Sequence, residues 1–169
     1  AYETIATGGK RLILMDAPER RDEPIVQDSL PYSKIARLAQ SVTAFVGVAN
    51  ALRAAGFSTP QIYAQDLKAG LLLTEHLGDE SFLGSGGNPI PERYLAAATL
   101  LAKLHEQSWP ERFPVAEGTD YVPPPYDRAA LAIETELLLD WYLPYVKERA
   151  ASEEEKEEFR QLWSGLFGR

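Results

Sequence analysis

Apolar and polar residues alternate along Tyr2-Glu-Thr-Ile-Ala-Thr7, and an apolar run follows Arg11 from Leu12 to Met15. Between them, Gly8-Gly9 supplies a two-residue turn that tolerates positive φ, so the pattern predicts a β-hairpin. Asp16-Ala-Pro18 stops the second strand, and the charged, proline-bearing residues 19–31 predict an exposed loop. Apolar residues then recur at Ile35, Leu38, Val42, Phe45, Ala49 and Leu52, the three-and-four spacing of one helical stripe. Ser33 is its expected cap and Gly56 its expected end; Gly47 weakens it modestly, and Ser41 leaves open a break into two pieces. Gln61-Ile-Tyr-Ala-Gln65 reads as a strand and residues 66–70 as a turn. Leu71-Leu-Leu-Thr74 follows as the antiparallel partner, too uniformly apolar for a surface strand and so expected to be buried. The first half therefore predicts β-β-α-β-β.

The second half changes period. Residues 81–91 are rich in glycine and proline, a composition expected at a lobe boundary. Residues 91–107 predict a helix with Pro91 in its first turn and Leu95, Ala98, Leu101, Ala102 and His105 along one face. Residues 109–125 predict a proline-rich loop. Asp127 is placed to cap a helix carrying Leu131, Leu138, Trp141 and Tyr145, in which Pro144 predicts a kink or an early stop. Ser152, followed by Glu153, Glu154 and Glu155, starts a last helix, because carboxylates there meet the positive end of the helix dipole. Phe159, Leu162, Trp163 and Leu166 give that helix an apolar face. No internal repeat is visible.

Composition narrows the function classes. The chain of 169 residues suits one domain or two small lobes and needs no covalent staple. Absence of cysteine excludes thiolate catalysis, cysteine-ligated zinc and disulfides, and fits a reducing cytosol. A formal net charge of −8 speaks against a nucleic-acid partner, and basic residues are scattered apart from Arg20-Arg21. No apolar run approaches the length of about 20 residues that spans a bilayer, and no basic-then-apolar leader opens the chain, so a cytoplasmic protein without a membrane partner is expected. Ala1 already lies in a strand, so the sequence reads as starting within a fold.

An apolar strand that runs straight into the polar, glycine-containing exit Glu75-His-Leu-Gly-Asp79 is how a kinase-like fold builds the hinge on which adenine sits. Five segments carry the resemblance: Leu14-Met-Asp-Ala-Pro18, Ala54-Ala-Gly-Phe-Ser-Thr-Pro60, Leu71-Leu-Leu-Thr-Glu-His-Leu-Gly-Asp79, Leu100-Leu-Ala-Lys-Leu-His105, and Leu131 through Asp140-Trp-Tyr142. In that order they resemble the aminoglycoside phosphotransferase and choline kinase superfamily, and within it the bacterial N-acetylmuramate/N-acetylglucosamine 1-kinases. The resemblance implies an α+β, protein-kinase-like two-lobed fold. Residues 1–77 would form a partial N-lobe, an antiparallel sheet with one helix ending in the hinge, and residues 78–169 an incomplete helical C-lobe. It also implies transfer of the ATP γ-phosphoryl group to an amino-sugar hydroxyl, with Mg²⁺ neutralising the phosphates, in cell-wall recycling.

The resemblance also assigns residues. Thr74 would line the back of an adenine pocket, with the Glu75 carbonyl and the Leu77 amide facing the base. The place where protein kinases carry their phosphate-contacting lysine falls at or near Met15. Asp79 would approach ribose or open the substrate side of the cleft. Glu134 lies on the apolar stripe of its helix, and a buried carboxylate needs a partner. It is expected either to join Asp140 and Trp141 in a sugar pocket or to form a salt bridge with an arginine. Kinase-like enzymes place their catalytic aspartate in a His-x-Asp-x-x-x-x-Asn pattern, and neither His76 nor His105 is followed by aspartate two residues later. No catalytic or metal-binding residue is therefore expected here, and the Mg²⁺ ligands are expected outside this chain. His105 is expected in a core or capping role and His76 in no metal site. Two alternatives stand beside the kinase: a non-catalytic nucleotide-binding or interaction module, and the kinase part of a fusion with the ATPase of tRNA threonylcarbamoyladenosine synthesis. Unfinished helical faces are expected to be exposed and to favour self-association.

Overall fold

The computed structural model describes residues 1–19, 24–27 and 29–167. Its elements run β1 (Tyr2–Thr7), β2 (Lys10–Asp16), β3 (Ile25–Gln27), β4 (Leu30–Pro31), α1 (Tyr32–Ile35), α2 (Val42–Ala54), β5 (Ile62–Asp66) and β6 (Leu71–Glu75). There follow α3 (Pro91–His105), β7 (Phe113–Ala116), β8 (Thr119–Tyr121), α4 (Arg128–Leu137), a π-helical turn (Leu138–Tyr142), α5 (Leu143–Lys147) and α6 (Glu153–Phe167). The fold is α+β with antiparallel sheets, and the chain forms two compact units. Unit 1 takes Ala1–Glu19 and Ser41–Pro123; unit 2 takes Arg20–Gln40 and Pro124–Arg169. Among the described residues no helix is long and apolar enough to cross a membrane.

Unit 1 is built on a four-stranded antiparallel sheet in the order β1-β2-β6-β5. The register pairs Met15 with Leu72 and Ile13 with Thr74. Partners directly opposite in an antiparallel ladder share a face, so the alternation of buried Leu72 and Thr74 with their half-buried neighbours sets one side of the sheet against α2. There Val42, Val46 and Leu72, each 1 % exposed, form the core with Val115. Burial of each such side chain contributes roughly 1.5–3 kcal/mol.

The helix expected from residue 33 is two helices. α1 stops at Ile35, Arg37 takes a left-handed φ of 59°, and α2 begins after Ser41, the position at which the sequence left a break open. Ser33 lies buried inside α1 and caps nothing. The other end of α2 is as expected. Gly56, at φ 84°, donates its amide to the Arg53 carbonyl at 3.0 Å while the Phe57 amide reaches the Leu52 carbonyl at 2.9 Å, a Schellman closure that only a residue tolerant of positive φ completes easily.

Two expected loops contain strands. Residues 19–31 hold the β3–β4 ladder, with Ile25 opposite Pro31 and Ser29 turning at φ 61°; the Arg20-Arg21 pair lies outside the described residues. Residues 109–125 hold the β7–β8 hairpin, whose Phe113 and Val115 are buried while Pro114 and Ala116 face outward. This hairpin packs on α2, and Gly47 is the reason it can. A Cβ on Gly47 would lie 2.8 Å from Tyr121 Cβ and 3.3 Å from both Phe113 Cβ and Val115 Cγ2. The residue that weakens the helix by propensity is the one that lets the hairpin approach.

In unit 2, Asp127 caps α4 by accepting the Ala130 amide at 3.0 Å, as expected. Arg37 binds the same carboxylate, and these donors, the backbone amide first, hold the Asp127 carboxyl below its ordinary range. Beyond Leu137 the expected stripe fails. The π-helical turn inserts an extra residue into the helical repeat, so Leu139 is buried while Leu138 and Trp141 face out. Pro144 then sits in the first turn of α5, where a missing amide costs least.

α6 starts on a capping box. Glu155 N–H donates to Ser152 Oγ at 3.2 Å and Ser152 N–H to Glu155 Oε2 at 2.8 Å, while Arg149 grips the same carboxylate at 2.7 and 2.6 Å. The Arg149 fork is the main cause that pulls the Glu155 carboxyl down from an ordinary 4.5 to about 2. A depressed carboxyl stabilises the folded state fully above its unfolded value, and that contribution is lost as pH falls from about 4.5 toward 2. Glu155→Gln should therefore lower Tm at pH 7 and lose most of that difference at pH 2.5. A Tm gap that stays constant over this range would contradict the assignment.

Candidate functional site

The exit of β6 is built from backbone outward. Thr74, 5 % exposed, and Met15 share the α2-facing side of the sheet, where Met15 packs against the Val42–Val46–Leu72 cluster. Glu75 ends the strand in a double link to the residue before β5: its amide donates to the Gln61 carbonyl at 2.8 Å, and its carboxylate accepts the Gln61 amide at 3.1 Å. Past Glu75 the chain leaves the sheet. Leu77 is 66 % exposed, and Gly78 turns it at φ 98°. Asp79 accepts from Arg11 Nη1 at 2.7 Å, and that guanidinium holds its carboxyl below the usual range.

His76 is placed in this exit by the sequence without a role of its own, and its turn-forming contacts are missed. Its Nδ1 accepts the Gly78 amide at 3.0 Å and its Nε2 lies 3.4 Å from Asp79 Oδ1. The signal was present in the spacing: a polar side chain two residues before a glycine forms a local turn, as asparagine and aspartate do.

The turn at the far end of β5–β6 is equally fixed. Gly70, at φ 75°, accepts the Ala17 amide at 2.9 Å and so ties the turn to the end of β2. Beyond the exit, residues 80–94 are ordered by Arg93, which bonds Glu80 at 2.5 Å and the Ser81 carbonyl, and by an edge-on pair of Phe82 and Tyr94 rings 5.1 Å apart.

The residues expected around a sugar fall in unit 2. Glu134 is half-buried and accepts Tyr32 Oη–H at 2.6 Å, so the partner it has here is a tyrosine rather than the arginine anticipated. That hydrogen bond is the first cause that pushes the Tyr32 hydroxyl up to about 12, so it stays a donor at physiological pH. Asp140 and Trp141 lie on the π-helical turn and are exposed, Trp141 to 73 %. Also in unit 2, α4 and α6 enclose a groove of about 220 Å³ lined by Phe159, Trp163 and Phe167 and edged by Arg128, Glu136 and Arg160. Arg160 is bonded to Glu136 at 2.8 Å. Among the described residues no three His, Asp or Glu side chains converge in a group that could hold a metal ion.

Two curated proteins match this chain. An N-acetylmuramate/N-acetylglucosamine kinase of Caulobacter vibrioides is 29 % identical over 177 aligned positions, which cover 98 % of this chain and 48 % of that protein. Its namesake from Pseudomonas aeruginosa is 31 % identical over 140 positions, 80 % of this chain and 32 % of that protein. The chain is a relative of these kinases. It spans about half the length of the first and about a third of the second. No protein-family model and no solved structure matches the chain.

Proposed function

We propose that this chain is the nucleotide-hinge portion of an ATP-dependent kinase of the kinase-like two-lobed fold, acting on an amino sugar in cell-wall recycling. The observation that carries the reading is the similarity over nearly the whole chain to proteins named as N-acetylmuramate/N-acetylglucosamine kinases. The geometry of the β6 exit supports it. Thr74 closes the sheet behind the exit, the Glu75 carbonyl and Leu77 amide serve as acceptor and donor for an adenine edge, and exposed Leu77 covers one face of the base. In this reading residues 1–77 belong to the nucleotide-holding lobe and 78–169 to the substrate lobe. Asp79 stands on the ribose side, and Glu134, Asp140 and Trp141 on the sugar side.

Bound ATP with Mg²⁺ supplies the transferable phosphoryl group and the charge that neutralises it. The residues present do not fit the metal or the phosphates. Met15, at or near the lysine position that the resemblance implies, packs against the core cluster, Arg11 is committed to Asp79, and no group of acidic residues converges among the described residues. The role of these residues is to bind and orient the base and to exclude water behind it, and no proton transfer is assigned to any of them. Exposed apolar side chains on α3 (Leu95, Leu100, Leu101) and around the π-helical turn (Trp141, Tyr142, Tyr145) favour self-association of the isolated segment.

The test is phosphoryl transfer from γ-labelled ATP by the intact protein, with N-acetylmuramate and N-acetylglucosamine as acceptors. Labelled sugar is the expected product. Nucleotide binding without transfer to any amino sugar would favour the non-catalytic module. In the same assay Glu134→Gln should raise the sugar KM about tenfold, the loss of one hydrogen bond to a charged acceptor, and leave the ATP KM unchanged. An unchanged sugar KM would return Glu134 to a purely structural role with Tyr32.

A further inference from the structure

We infer that His76 is the positioning residue of the nucleotide-binding exit, holding the Leu77 backbone in its base-facing orientation; the inference rests on the adenine reading proposed above. Its side chain is 8 % exposed although Leu77 is 66 % exposed and the Asp79 side chain 72 %. A buried ring between two exposed residues is one the local fold has gathered in. Both of its nitrogens are directed at the exit itself. Nδ1 accepts the Gly78 amide at 3.0 Å, which requires its lone pair and so places the ring proton on Nε2, 3.4 Å from Asp79 Oδ1. The other Asp79 oxygen takes Arg11 Nη1 from β2 at 2.7 Å. The chain of contacts Arg11–Asp79–His76–Gly78 thus fastens the exit to the sheet from one end to the other, with Leu77 in the middle.

The fastening has a physical purpose. Gly78 sits at φ 98° and its lack of a Cβ opens the widest range of backbone angles of any residue. Unfastened, the peptide units on either side of it would swing and the Leu77 amide would lose its direction. A base that is recognised by two backbone groups binds tightly only when both are preorganised, because ordering them on binding subtracts from affinity. The charged groups next to the ring are Asp79 and, through it, Arg11; the Glu75 carboxylate is turned away to the Gln61 amide. His76 acts here through Gly78 and Asp79 rather than as a ligand to base or phosphate, so its effect falls on nucleotide affinity and leaves the sugar unaffected.

The experiment measures ADP affinity by calorimetry and the ATP and sugar KM values of the intact protein. His76→Ala should weaken ADP binding and raise the ATP KM about tenfold, the loss expected from one hydrogen bond, with the sugar KM unchanged. His76→Asn, whose side-chain oxygen forms the same two-residue turn to the Gly78 amide, should restore ADP affinity to within about twofold of wild type. Arg11→Gln, an exposed change that leaves the fold intact whatever His76→Ala does, should weaken ADP binding about threefold by freeing Asp79. Unchanged ADP affinity in His76→Ala, no restoration by asparagine, or an equal rise in both KM values would overturn the assignment of His76 and leave the adenine reading standing. Failure of the wild-type protein to bind ADP would overturn both.

Discussion

Gly70→Ala is expected to destabilise unit 1 by about 3 kcal/mol or more, a large share of the stability of a small domain. Two costs add. A Cβ-bearing residue at φ 75° costs roughly 1–2 kcal/mol. In addition, the new methyl would sit 2.6 Å from both the Ala17 carbonyl oxygen and Pro18 Cα, backbone atoms that cannot swing aside without breaking the 2.9 Å bond from the Ala17 amide to the Gly70 carbonyl. Because Asp16 pairs with Leu71 next to this turn, displacement would propagate into the β2–β6 register that sets Met15 against Leu72. Urea unfolding of wild type and variant gives the number. A loss smaller than about 0.5 kcal/mol, the scale of an ordinary surface substitution, would mean that the turn is not packed as described.

The second large effect has a sign that distinguishes packing from propensity. Alanine in place of glycine inside a helix ordinarily stabilises by roughly 0.5–1 kcal/mol, yet Gly47→Ala is expected to destabilise by about 1–3 kcal/mol, the cost of overpacking. The nearest atom, Tyr121 Cβ at 2.8 Å, is rooted on the β8 backbone, so relief requires the β7–β8 hairpin to move away from α2. Gly165 in α6 is the matched control: nothing lies within 4 Å of a Cβ there, and Gly165→Ala should stabilise by the ordinary amount. Thermal melts of the two variants should shift in opposite directions. A parallel rise in both would show that the hairpin does not pack on α2.

The sheet was legible because strand signals depend on few residues. Gly8-Gly9 and the short turn before Leu71 fix two hairpins, and the apolar run Leu71–Thr74 has nowhere to lie but between partners. Helix ends marked by Gly56, Asp127 and Ser152 were legible for the same reason, since each supplies a group that a neighbouring amide or carbonyl requires. What depended on tertiary packing was hidden. The Phe113/Val115 alternation around Gly118 is a hairpin signal, but the prolines of residues 109–125 mask it. Only the close approach at Gly47 shows why the hairpin forms there. The sequence leaves the break between α1 and α2 open at Ser41, but the contact that fixes it, Arg37 adopting a left-handed angle and binding Asp127 ninety residues away, is encoded by no local pattern. The π-helical turn shifts the phase of the stripe by one residue and exposes Leu138 in place of Leu139; a 3.6-residue template cannot anticipate it.

At the candidate site the same division holds. The strand, the buried Thr74 and the glycine exit followed from sequence, whereas the ring that gathers the exit did not, because His76 gains its meaning from Gly78 and Asp79 together. Glu134 was recognisable as a carboxylate in need of a partner, but Tyr32, the partner it has, is supplied by a segment a hundred residues earlier in the chain.

Hydrogen exchange at the Leu77 amide of the intact protein, measured with and without saturating ADP, tests the adenine-hinge assignment most directly. If the Leu77 amide donates to the base, its exchange slows on nucleotide binding while that of the exposed α3 helix does not. Exchange at Leu77 that is the same in the free and the fully nucleotide-bound protein would contradict the assignment.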